Sequence, residues 1–150
     1  MLRMSAGLMA AAASIAFGQT FAFEIGSPVA SRDFRFKMAP FVFRATGCSD
    51  PGQIEVNATA EGLDGGTRKS VNLKVAKSSN PGVFAVFQQW GSGGKWVVSV
   101  GGSCDGMKAG FVVPMGSRGF VREAAKFFSQ TPPAGEIEAA LKAFPEGGYK

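Results

Sequence analysis

The run Ile54-Glu55-Val56-Asn57-Ala58-Thr59-Ala60-Glu61-Gly62-Leu63-Asp64-Gly65-Gly66, followed by Val71-Asn72-Leu73-Lys74-Val75, decides the fold class. Ile54, Val56, Ala58 and Ala60 alternate with Glu55, Asn57, Thr59 and Glu61. Successive side chains of a strand point to opposite faces, so a period of two marks a strand with one buried and one wet face. Asp64-Gly65 offers the positive φ that a tight hairpin turn requires. Val71, Leu73 and Val75 then alternate with Asn72 and Lys74, which is the returning strand.

The same rhythm continues outward. Upstream, the stretch from Phe23 to Asp33 reads as irregular. Phe34, Phe36 and Met38 then alternate with Arg35 and Lys37, and Phe41 to Ala45 is a short β-favouring run. Phe41 and Phe43 share a face and are expected in the core. Asp50-Pro51-Gly52 and Ser78-Ser79-Asn80-Pro81-Gly82 punctuate the chain. Val83 to Trp90 predicts a strand with Phe84 and Val86 on one face. Gly91-Ser92-Gly93-Gly94 turns it and Lys95 to Val100 returns it, so these two are expected to pair as a hairpin. Lys108 to Met115 is the last strand. Six or seven strands with turn residues between them predict an antiparallel sandwich or barrel over residues 23–117.

Residues 118–150 read as a helical C-terminal tail. Phe120, Ala124, Phe127 and Phe128 fall on one helical face. Thr131-Pro132-Pro133 interrupts, and Pro at a first turn is well tolerated as the next helix begins. Ile137, Ala140, Leu141 and Phe144 then recur at i, i+3, i+4 and i+7. These faces are expected to dock on the sandwich; the alternative is that they grip a partner or a second copy. Phe128, Ile137, Leu141 and Phe144, with Trp90 and Trp96, are therefore the candidate binding surface. Trp96 reads as a core aromatic. Trp90 is open between core and an exposed platform that could stack on a sugar or a partner loop.

The start of the chain reads as an export leader over residues 1–22. Arg3 is the positive n-region, Leu8 to Phe17 is apolar and uncharged, and Thr20-Phe21-Ala22 is a small-x-small cleavage site. Ala16-Phe17-Gly18 offers a competing cut. The apolar run is about half of the roughly 18 residues that a membrane span needs. Periplasmic or secreted location is thus expected, with no transmembrane segment after cleavage. The chain carries 16 Lys and Arg against 11 Asp and Glu, a net charge of +5 that falls by one when Arg3 leaves. The cations are scattered, which argues against a nucleic-acid face. Two cysteines in an exported chain favour a Cys48–Cys104 disulfide. Each sits in a turn-forming stretch, so the bridge is expected to staple two loops outside the core.

The sequence has no His. That removes Ser-His-Asp and Cys-His catalysis, most zinc sites and the usual copper sites. Glu55 and Glu61 share a strand face but lie about 20 Å apart at roughly 3.3 Å per residue, too far for glycosidase geometry. Asp50, Asp64 and Asp105 sit in turns, where Asp usually serves the backbone. A soft copper(I) site would have to use Met38, Met107 and Met115, and they lie on separate strands and turns, where core packing is the better reading. No catalytic residue, metal site or cofactor is expected.

Pro81-Gly82-Val83-Phe84-Ala85-Val86, then Gly94-Lys95-Trp96-Val97-Val98, resembles the late hairpin of bacterial immunoglobulin-like sandwich modules of the YtkA-like and CopC-like type. Ala58-Thr59-Ala60-Glu61-Gly62 adds to it, and the likeness spans residues 40–115. It implies a mainly β, immunoglobulin-like antiparallel sandwich. CopC-like domains bind copper through His, which this chain lacks, so copper binding does not carry over. The expectation is an exported, non-enzymatic envelope protein that binds a protein or a surface, the partner being an envelope protein or another copy. The alternative is a carbohydrate-binding or metal-handling periplasmic domain.

Overall fold

The structure, a computed structural model, describes residues 20–28 and 31–150. All of the expected leader except residues 20–22 lies outside those residues. Ten strands and one helix follow in chain order: β1 Ala22–Gly26, β2 Phe41–Thr46, β3 Glu55–Asp64, β4 Thr67–Leu73, β5 Val75–Lys77, β6 Val83–Val86, β7 Lys95–Cys104, β8 Met107–Gly116, β9 Gly119–Phe120, β10 Lys126–Phe128 and α1 Ala134–Lys142. One sheet has the order β1-β2-β6-β5; the other has β10-β8-β7-β3-β4, with β9 also on β8. Every pairing is antiparallel. This is the immunoglobulin-like order: β1, β2, β6 and β5 take the places of strands A, B, E and D, and β8, β7, β3 and β4 those of G, F, C and C′.

The alternation dictates the packing. Ala58 and Ala60 of β3 and Val98 and Val100 of β7 face inward, opposite Phe41, Phe43, Phe84 and Val86 of the other sheet. Phe111 of β8 is the aromatic hub. Its ring lies 5.4 Å from Phe43, 5.9 Å from Phe23, 6.0 Å from Phe41 and 5.8 Å from Phe127. The β3–β4 hairpin turns at Gly65-Gly66, both at positive φ, as Asp64-Gly65 foretold.

Several expectations are corrected. The stretch after Phe23 is not irregular: Phe23 and Ile25 alternate inward, and β1 pairs with β2. Phe34–Met38 is a 3-10 turn and not a strand. Asp33 caps it, its carboxylate accepting the Arg35 backbone N–H at 3.0 Å. Only Phe36 is needed inside; it packs with Ala39 and Ala85 on the outer face of the first sheet. The expected Val83–Trp90/Lys95–Val100 hairpin does not form, because β6 and β7 belong to different sheets. Each strand has a second apolar face to bury, and crossing between sheets gives both a partner. The real hairpin is β7–β8, closed at Asp105-Gly106.

Residues 118–128 are not helical. They form β9, a 3-10 turn at Arg122–Ala124, and β10. Phe127 stands opposite Phe111 and Phe128 opposite Gly110, so these adjacent rings serve opposite faces of the sheet. Phe127 meets the inner aromatic cluster, and Phe128 packs with Val97 and Val112 on the outer face. A helix places neighbours only about 100° apart and cannot divide them in this way. The final helix does form, from Ala134 to Lys142. Its Ala140 and Leu141, with Phe144 beyond it, cover Val97 and Val112. Gly110 makes room for this descent: a Cβ there would meet the Pro132 ring and the Gln130 carbonyl. The tail is therefore part of the sandwich, and residue 117 marks no structural boundary.

Phe21 is 1% exposed and its ring lies 5.2 Å from Phe23. The two expected cuts thus differ in consequence. A cut after Ala22 removes a core ring, whereas one after Gly18 keeps it.

Candidate functional site

The two ends of the sandwich differ. At one end Cys48, just after β2, is bonded to Cys104, the last residue of β7, with the Cα atoms 6.0 Å apart. These are the two strands, B and F, that antibody domains join, but the bridge has moved beyond the strand body. Cys104 is buried at the edge of the core and Cys48 packs against it, which corrects the expectation of a bridge outside the core. Asp105 completes a cluster with both sulfurs, but the sulfurs are spent on each other. Ser49 Oγ donates to Asp105 at 2.5 Å across the same junction. This end corresponds to the antigen-binding end of antibody variable domains. Here it is stapled, and its β7–β8 turn has two residues.

The opposite end is open. The segments 36–40, 87–94, 115–119 and 144–149 surround a cleft of about 500 Å³ lined by Met38, Gln88, Trp90, Ser92, Met115 and Tyr149, among others. The tryptophans form its floor. Trp96 donates its Nε1–H to the Gly93 carbonyl at 2.7 Å. Its ring lies flat over Gly62, where a Cβ would collide with it. Trp96 is 4% exposed and Trp90 8%. Trp96 belongs to the core as expected, and Trp90 joins it. Neither presents a ring face on which a sugar could stack.

The remaining residues of the expected binding surface are also engaged within the chain. Leu141 and Phe144 are buried, and Phe128 and Ile137 pack half-buried beside them on Val97 and Val112. The ion pairs of Arg68 with Glu138 and Glu61, each 2.8 Å, hold α1 to β4 and β3. The guanidinium's pKa is raised, first by the hydrogen bond to Glu138. The tail faces therefore dock on the sandwich. Of the methionines, Met38 and Met115 line the cleft, while Met107 sits by the β7–β8 turn at the stapled end. A second hollow, about 380 Å³, is polar and runs along β3 and β7 beside Thr131 and Ile137.

What the sequence reading missed is an exposed rim, residues 31–38, that runs over the outer face of the first sheet. Ser31, Arg32 and Asp33 share a hollow of about 450 Å³ with Arg44, Ser78 and Asn80, and the rim reaches the open end only at Met38. Phe34 is 81% exposed and Met38 is 85% exposed, on the segment that Phe36 anchors. Arg32, Arg35 and Lys37 are exposed around them. Glu24, which lines the hollow with Asp33, is paired with Arg44. Asp33 is the only acid of residues 31–38, and Arg35 occupies it, donating Nε–H at 3.1 Å and Nη2–H at 2.7 Å. That side-chain hydrogen bond holds the Asp33 carboxyl below its ordinary pKa. The pair is neutral, so Arg32 and Lys37 give residues 31–38 a net positive charge. The signal was present in the sequence as apolar residues alternating with cations, but that alternation read as a strand.

Neither a protein-family model, nor a curated protein, nor a solved structure matches the chain. The likeness to YtkA-like and CopC-like modules gains no support from these comparisons, and the site must be read from its own chemistry. Among the described residues no helix is long and apolar enough to cross a membrane.

Proposed function

We propose that the chain is an exported, non-enzymatic immunoglobulin-like module of the cell envelope that binds another envelope component through the rim formed by residues 31–38 on the outer face of its first sheet. One observation carries this reading: Phe34 and Met38 protrude into solvent beside Arg32, Arg35 and Lys37. Two large apolar side chains, 81% and 85% exposed on one anchored segment with cations between them, give that segment a mixed apolar and basic surface suited to contact. The disulfide supports an oxidising compartment. The absence of His removes Ser-His-Asp and Cys-His catalysis, which favours a binding role.

The carbohydrate alternative loses its main support, since both tryptophans are buried. The test is a Phe34→Ser/Met38→Ser double variant expressed with its leader. Both side chains are exposed, so its melting temperature should match the parent within about 2 °C, corresponding to about 0.5 kcal/mol for surface changes. On fractionation the parent should co-sediment with envelope material and the variant should move to the soluble fraction. Equal distribution of the two would reject the rim as the contact.

A further inference from the structure

We infer that the component contacted by residues 31–38 is an anionic lipid surface, with Phe34 and Met38 entering the interface and Arg32 and Lys37 facing the headgroups. The inference rests on the rim being the contact surface and names its partner. Three observations favour a bilayer over a folded protein. The exposed large apolar residues among those described are Phe34, Met38, Met107 and Phe127. Met107 lies at the stapled end and Phe127 on the edge strand β10. Phe34 and Met38 are thus two tips and not part of a broad apolar patch, whereas a protein interface needs roughly 800 Å² per partner with an apolar centre. Tips of this kind suit a soft, deformable interface, into which apolar side chains insert by a few ångströms.

The second observation is charge. Asp33 is matched by Arg35, so the loop presents an excess of cations where the tips emerge. Basic side chains close to an anionic leaflet each strengthen binding several-fold. The third is mechanical. Phe36 is 1% exposed and is held by Ala39 and Ala85. Asp33 caps the turn. The tips are pre-set by the fold, so little ordering entropy opposes insertion.

The experiment is flotation of the purified exported chain with vesicles of pure phosphatidylglycerol and of pure phosphatidylcholine. The parent should float with the first and not with the second, and high salt should release it. Phe34→Ser/Met38→Ser and, separately, Arg32→Glu/Lys37→Glu should each cut the bound fraction on phosphatidylglycerol by about tenfold or more. Circular dichroism of both variants should match the parent. If the parent fails to float with phosphatidylglycerol, or floats equally with both lipids, the inference is overturned. If it fails to float while the Phe34→Ser/Met38→Ser variant still leaves the envelope fraction in cells, the rim contact stands and its partner is a protein. If the variants float like the parent, the loop is not the lipid contact.

Discussion

Replacing Phe111 with Ala should lower the unfolding free energy by about 3–5 kcal/mol, the usual cost of emptying a buried aromatic site. Phe111 is fully buried and its ring meets four others: Phe23, Phe41, Phe43 and Phe127. Those rings come from β1, β2 and β10, in both sheets, so the cavity would lie between the layers. None of the neighbours can fill it without leaving its own strand position. A domain of this size has about 5–15 kcal/mol in total, so the variant should melt roughly 10–20 °C earlier. Phe127→Ala should cost far less, since that ring is half in solvent. Equal losses from the two substitutions would mean that Phe111 is not the hub.

Reducing the Cys48–Cys104 bridge, or replacing both residues with Ala, should cost about 2–4 kcal/mol by the loop-entropy model. The closed loop is long, with a sequence separation of 56, and it spans both sheets. The expected fall in melting temperature is about 8–15 °C. Urea unfolding with and without reductant checks the value. The open end should be little affected, because the bridge closes the other end. A melting point that is indifferent to reductant would show that the bridge does not constrain the chain.

The strands β3 and β4 of the second sheet were legible because their physics is local. In β3, Ala58 and Ala60 must face inward and Glu55 and Glu61 outward, and only a period of two achieves this. Gly65-Gly66 likewise announces its turn. What could not be read was long-range choice. Nothing within Val83–Val100 says that its halves enter different sheets. Phe120 to Phe128 has good helical spacing, and β8 overrides it by offering a free edge with apolar ground on both faces. The candidate site was hidden by the same ambiguity. Phe34, Phe36 and Met38 alternate as a strand would, yet Asp33 caps a 3-10 turn that buries Phe36 and leaves the other two outside. Trp90 and Trp96 attracted notice as residue types, whereas Gly62 and the Gly93 carbonyl decide that Trp96 is core.

The claim that residues 31–38 meet the envelope is tested most directly by position-specific photo-crosslinking in cells. A photo-reactive residue is placed at 34, at 38 or at 107, the last beside the stapled end. The reading predicts adducts with the same envelope component from positions 34 and 38, and none with it from 107. Adducts from 107 alone, or none from 34 and 38, would contradict it.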